Sequence, residues 1–188
     1  MTTIPPAIVD AVQRVLPAVS TDRKHPAALR CVLVERAGDV VRVVATDKHR
    51  LTVCERPGDL LPPGTRLLVD PATMTDAGVD ADDFPAYERF LAAVGDVDAA
   101  TIDAAALVDL IEGATDDDAP LRMGVVDGEV VIGEGPVHLD ARFAHDAAVA
   151  AGPGAVTVEV GGETAPVAFR SATGDLTLVM PVRVGAKR

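Results

Sequence analysis

Apolar residues at Ile8, Val12, Val15 and Val19 recur at helical spacing behind Pro5 and Pro6, which predicts a helix opening where a proline costs no needed N–H. Pro17 is expected to end or bend it. From Leu29 to Glu35 and from Val40 to Ala45 the apolar positions run almost unbroken, which predicts two strands joined at Ala37-Gly38-Asp39. A tight connection at Asp47 to Arg50 leads to a third strand, Leu51 to Glu55. Pro57-Gly58 and Pro62-Pro63-Gly64 mark a loop, and Arg66 to Val69 reads as a strand. Asp70 followed by Pro71 predicts the start of a short helix. Gly78 to Asp83 is small and acidic, as a linker between domains would be.

The second half repeats this order. Ala100 to Ile102 reads as a short strand, and Asp103 as the cap of a helix through Gly113 whose Leu107, Leu110 and Ile111 share one face. Thr115-Asp116-Asp117-Asp118 is expected to be a solvated turn. Leu121 to Val126 and Glu129 to Ile132 flank Asp127-Gly128, the strongest hairpin signal in the chain. A strand at Val137 to Leu139 precedes Asp140, which should cap a helix through Ala151. Strands at Ala155 to Val160, Pro166 to Arg170 and Leu176 to Pro181 follow, with turns at Gly161-Gly162 and Thr173-Gly174-Asp175. Helix and antiparallel strands, recurring in the same order, predict an α+β fold built from pseudo-repeats.

Composition narrows the function classes. The chain has 188 residues, room for one domain or two small ones, and 48% hydrophobic residues support a core. No apolar run is long enough for a membrane span, and no signal-like segment opens the chain, so a cytoplasmic protein is expected. Cys31 and Cys54 lie in apolar runs and read as two reduced, buried thiols. The formal charge of −12 repels phosphate backbones in bulk. Four Phe, one Tyr and no Trp leave little to stack on single-stranded nucleic acid.

Catalytic chemistry finds no support. His25, His49, His138 and His145 show no metal-ligand spacing, and neither a nucleophile elbow nor a phosphate-binding loop is present. Asp116-Asp117-Asp118 lacks the spacing and the bidentate Glu of a calcium loop. Neither an enzyme nor a cofactor or metal is expected.

Four segments carry a resemblance. They are Ala18 to Cys54, including the loop Ser20-Thr21-Asp22-Arg23-Lys24-His25-Pro26; the stretch Val44-Ala45-Thr46-Asp47-Lys48-His49-Arg50-Leu51 within it; Asp83-Phe84-Pro85-Ala86-Tyr87-Glu88-Arg89-Phe90; and Val137 to Val184, ending in Leu178-Val179-Met180-Pro181-Val182-Arg183-Val184. In this order they resemble the bacterial replication sliding clamp, the beta subunit of DNA polymerase III. The resemblance implies a truncated α+β clamp fold. Residues 1–80 would correspond to a shortened middle domain and residues 81–188 to the last domain, with no counterpart of the family's first domain.

The resemblance also implies an inter-domain pocket for short linear peptides. One wall would be Leu29, Thr46, Lys48, His49, Arg50 and Leu51. The floor would be Pro85, Arg89 and Phe90. The far wall would be Leu178, Val179, Met180, Pro181, Val182 and Arg183. The residue types suit that task. Leu, Val, Pro and Met make an apolar cleft, Met adapts to varied side chains, and Arg50 and Arg183 offer donors to a peptide carbonyl or carboxylate. Where the family usually has a small residue, often Gly, this chain has Lys48.

In the family, each repeat lends one helix to the hole of a ring around DNA. Here the predicted helices carry only Arg14 and Arg142, against Asp10, Asp76, Asp103, Asp109, Glu112, Asp140 and Asp146. Such a lining repels DNA within a Debye length of roughly 8–10 Å. Arg23, Lys24 and His25 match a DNA-touching loop of the family. The expected function is therefore a non-enzymatic, clamp-like protein binding replication or repair proteins through their clamp-binding motifs. The alternatives are an oligomeric, DNA-encircling processivity clamp and a regulatory ligand-binding module related to the clamp-like domains of transcriptional regulators.

Overall fold

In a computed structural model, which describes residues 4–91, 97–114 and 120–183, Pro6 stands at the first turn of helix α1 (Pro6–Val15), where its missing N–H costs nothing. A 3-10 turn at Leu16–Ala18 contains Pro17 and ends the helix. The chain divides into two compact units, residues 1–86 and 87–188.

In the first unit the strands are β1 (Val32–Ala37), β2 (Val40–Thr46), β3 (Arg50–Pro57), β4 (Arg66–Asp70) and the two-residue β5 (Thr75–Asp76). They form antiparallel neighbours in the order β5-β4-β1-β2-β3. Ile8, Ala11, Val12 and Val15 of α1 lie on one helical face and are fully buried in a cluster with Val32, Val34, Val41, Val43, Cys54 and Val69. Each buried Ile or Val side chain among them contributes about 1.5–3 kcal/mol on leaving water. Leu33, Val44 and Leu68, which point the opposite way from their strands, are also fully buried. That two-sided burial is why Val32 to Val34 and much of β2 are apolar at consecutive positions.

Two sequence expectations fail in this unit. Leu29 and Arg30 do not begin a strand but close a 3-10 helix, Ala27–Arg30, which buries Ala28 and Leu29 together. No helix follows Asp70 either. The Asp70 side chain accepts from the Ala72 N–H at 2.8 Å, its carbonyl accepts from the Met74 N–H at 2.8 Å, and Met74 turns into left-handed backbone at φ 55°. The result is a tight connection into β5, so Asp76 is a strand residue rather than a helical one. The stretch Gly78 to Asp83 includes a 3-10 turn, Ala81–Asp83, capped by Asp80.

The second unit begins at Tyr87, the chain's one tyrosine, which is buried to 1% exposure. Its elements are α2 (Glu88–Leu91), β6 (Asp98–Asp103), α3 (Ala104–Ala114), β7 (Leu121–Val126), β8 (Glu129–Ile132), β9 (Val137–Leu139), α4 (Ala141–Ala150), β10 (Ala155–Val160), β11 (Val167–Ser171) and β12 (Leu176–Val179). One antiparallel sheet runs β12-β11-β10-β6 and a second runs β8-β7-β9. Leu107 and Ile111 of α3, Ala144 and Ala147 of α4, and Phe169, Met123 and Leu139 of the sheets share one core.

Both long helices of this unit have the caps their sequences predict. Asp103 accepts from the Ala105 N–H at 2.9 Å, and Asp140 from the Arg142 N–H at 3.0 Å. The Arg142 guanidinium also bonds Asp140 and, with the helix N–H groups, holds its carboxyl below the usual range. Asp127 and Gly128 both take positive φ, 52° and 81°, as a two-residue hairpin turn requires. Gly135 has φ 125°, and a Cβ there would lie 2.5 Å from the Met123 carbonyl carbon. The acidic turn at Asp116 to Asp118 lies outside the described residues, as does Val184.

Candidate functional site

The connection between β2 and β3 is held by one carboxylate. Asp47 Oδ1 accepts from the His49 N–H and from the Arg50 N–H, each at 3.0 Å, and Oδ2 accepts from Arg50 Nε at 3.1 Å. From the other side, Thr46 Oγ1 donates to the Arg50 carbonyl at 2.7 Å and accepts from the Lys48 N–H at 3.2 Å. Thr46 is buried, Asp47 and Arg50 are half-buried, and Lys48 and His49 are exposed. The bonds made by Asp47 and Thr46 leave Lys48 in left-handed backbone at φ 79°.

The sequence pattern alone did not single out Asp47, although an Asp two and three residues before the amides it caps is a recognisable turn pattern. The Arg50 Nε helps to position the turn through its bond to Asp47. A non-glycine residue at φ 79° stores about 1 kcal/mol of backbone strain. Lys48→Gly is therefore expected to raise stability by about that much, read as a higher midpoint in urea with an unchanged slope.

Leu29 and Leu51, also assigned to this wall, are buried at 2% and 6% exposure. In the second unit Leu178 and Val179 are likewise buried on β12. Beyond Val179 the chain leaves the sheet. Met180, Pro181 and Val182 are half-buried and Arg183 is exposed. The Val182 N–H donates to the His138 carbonyl at 2.7 Å, which pins this segment beside β9. His138 carries no signal of that role, since only its backbone is used.

Of the residues assigned to the floor, Pro85 is half-buried in the first unit. Arg89 and Phe90 lie together on α2, with the guanidinium carbon 4.7 Å from the ring centroid. The Phe90 N–H donates to the Tyr87 carbonyl at 2.9 Å.

The basic loop is also built from its own side chains. Ser20 Oγ bonds His25 Nδ1 at 2.7 Å and accepts from the Asp22 N–H, and Asp22 Oδ1 accepts from the Lys24 N–H at 2.8 Å. Arg23 and Lys24 are exposed, while His25 is half-buried. Arg14 of α1 and Arg142 of α4 are paired. Arg14 bonds Asp10 at 3.1 Å, and Arg142 bonds Asp140 at 2.8 Å. On the outer side of α3, Asp109 and Glu112 are exposed, and His145 of α4 meets Glu112 at 3.1 Å.

Both cysteines are buried, and neither forms a disulfide. Burial, with the Asp70 charge second, pushes the Cys31 thiol up, the opposite of what a nucleophile needs. Among the described residues no group of three or more His, Cys, Asp or Glu could hold a metal ion, and no helix is long and apolar enough to cross a membrane.

No family model matches this chain, and no curated protein matches it in sequence. Solved structures match it in three dimensions. A chain assigned as a DNA polymerase III beta subunit from Eubacterium rectale superposes with a TM-score of 0.76 at 14% identity, over 98% of this chain and 68% of that one. The fold is that of the bacterial sliding clamp. The beta sliding clamp of Caulobacter crescentus, with polyethylene glycol bound, gives a TM-score of 0.70 at 14% identity, over 94% of this chain and 63% of that one. The DNA polymerase III beta subunit of Pseudomonas aeruginosa gives 0.71 at 18% identity, over 93% and 65%. The chain thus spans about two thirds of the length of these clamps.

Proposed function

We propose that this clamp-like protein is a non-enzymatic scaffold that binds short linear peptides of replication or repair proteins. On this reading the Thr46–Arg50 turn and the Leu178–Arg183 segment are two walls of one apolar cleft, with Pro85, Arg89 and Phe90 at its floor. The observation that carries the reading is the segment after β12: Met180, Pro181 and Val182 are partly open to solvent, yet Val182 is fixed by backbone hydrogen bonding. A pre-positioned apolar stretch is what an extended peptide needs, because little ordering entropy is left for binding to overcome. In the Caulobacter clamp, polyethylene glycol is bound in the region proposed to tether beta motifs. Lys48, exposed at the rim, would favour peptides with an acidic residue nearby by a few-fold, as expected of an exposed ion pair worth about 0.2–1 kcal/mol.

The test is a calorimetric titration with a peptide carrying a bacterial clamp-binding motif, beside retention on circular duplex DNA. Saturable 1:1 peptide binding is expected, with no salt-resistant retention on DNA. Arg14 of α1 and Arg142 of α4 are neutralised by Asp10 and Asp140, and α3 turns Asp109 and Glu112 to solvent. Any retention at low salt should fall steeply with salt and disappear in an Arg23→Ala, Lys24→Ala variant. Retention on closed circles that survives salt, and is lost on linearising the DNA, would instead identify a ring. Absence of peptide binding would overturn the proposal.

A further inference from the structure

The first unit contains a cavity that the peptide reading does not use. It has a volume of about 520 Å³ and lies between the start of α1 and the β1, β4 and β5 side of the sheet. That volume falls in the range of about 300–1,000 Å³ typical of small-molecule sites. Ile4 and Ile8 line it from the helix end, and Val34, Leu61, Leu67 and Val69 from the sheet and the loop before β4. The polar lining comes from Thr65, Thr75 and Asp76.

Two of these side chains, Thr65 and Asp76, offer acceptors to the cavity. Thr65 Oγ1 already donates its proton to the Pro62 carbonyl at 2.7 Å, and the hydroxyls of Thr75 and Thr73 share a bond at 2.8 Å. Asp76 Oδ1 accepts from the Gly78 N–H at 2.9 Å, and the carboxylate is exposed. No Lys, Arg or His is among the described lining residues. The neighbouring cations are already bonded to other groups: Arg36 donates to the Leu61 carbonyl, and Arg66 bonds Ala81 and pairs with Glu35 and Asp82. An apolar interior with an acceptor-rich, negatively charged polar lining repels carboxylates and suits a positively charged head on an apolar body.

We propose that this cavity binds an amphipathic cation, its alkyl or aromatic body against Ile8, Leu67 and Val69 and its ammonium at Asp76. Nothing in this site overlaps the peptide walls, so the two readings stand or fall separately.

The chain contains five isoleucines, of which Ile4 and Ile8 line the cavity, while Ile102, Ile111 and Ile132 belong to the second unit. Full-length protein labelled with carbon-13 at the isoleucine δ1 methyls gives a direct readout. The probes are n-octylammonium, 1-octanol and n-octanoate, titrated separately. The expected result is saturable movement of the Ile4 and Ile8 signals with octylammonium while the other three stay still. Octylammonium should bind roughly two- to five-fold more tightly than octanol, with octanoate weakest, the size expected of one exposed charge. Asp76→Asn should remove the difference between octylammonium and octanol while keeping the movement. Leu67→Trp should fill the cavity and abolish the movement, with the three signals of the second unit unchanged. The proposal is overturned if Ile4 and Ile8 do not respond, if all five signals move together, if octanoate binds as tightly as octylammonium, or if Asp76→Asn changes nothing. It is also overturned if Ile4 and Ile8 move on simple dilution of the protein, which would put a second copy in the cavity.

Discussion

Replacing Met180 by lysine should remove peptide binding and leave the protein folded. Met180 is half-buried just past the last hydrogen-bonded pair of β12, so a long cationic side chain there reaches water by straightening its stem. It then puts a solvated charge where a peptide's apolar side chain would lie. Leu51→Asp should behave oppositely. Leu51 is at 6% exposure and pairs with Thr46 in the β2–β3 register. An unpaired carboxylate at that position costs several kcal/mol, a large share of the roughly 5–15 kcal/mol that holds a domain together. Calorimetry beside far-ultraviolet circular dichroism separates the two: lost heat with native dichroism for Met180→Lys, lost dichroism for Leu51→Asp. A folded Met180→Lys protein that keeps its affinity would remove the far wall from the site.

Gly135→Ala should be the most damaging alanine substitution among the described glycines. Its φ of 125° lies where residues with side chains rarely go, and the new Cβ would meet the Met123 carbonyl carbon and oxygen at 2.5 Å and the Gly124 nitrogen at 2.6 Å. All three are backbone atoms of β7 and cannot rotate away. Strain and overlap together cost about 3 kcal/mol or more, a fall of roughly 10–20 °C in the melting temperature of a unit this size. Gly162→Ala is the control. Nothing lies within 4 Å of its Cβ position, so it should stay within about 0.5 kcal/mol of the parent. Equal melting temperatures for the two variants would mean that the segment before β9 yields freely.

The hairpins were legible because their signals are local: Asp127-Gly128 dictates its turn whatever surrounds it. The helix caps Asp103 and Asp140 were legible for the same reason. Asp70-Pro71 misled because an aspartate before a proline opens both helices and turns. What decides between them here is the bonding that follows: the Asp70 side chain accepts from the Ala72 N–H and Met74 takes left-handed backbone, which ends any helical turn. Leu29 misled because burial alone does not distinguish a strand from a 3-10 turn. The residues around Lys48 were singled out by resemblance, but their geometry rests on Asp47, which makes three hydrogen bonds in the turn. The cavity left no trace in the sequence. Its lining comes from α1, three strands and a loop, and each apolar member looks like an ordinary core residue by itself.

Tyr87 makes this molecule unusual to observe. With no tryptophan and a single tyrosine, at the first residue of the second unit, its near-ultraviolet absorption and emission come almost entirely from one buried ring. An optical melting curve near the tyrosine band is therefore not an average over the protein; it follows one position. Against far-ultraviolet dichroism, which sums every helix and strand, that ring acts as a built-in local probe. A gap between the two curves would locate the onset of melting relative to Tyr87 without any label.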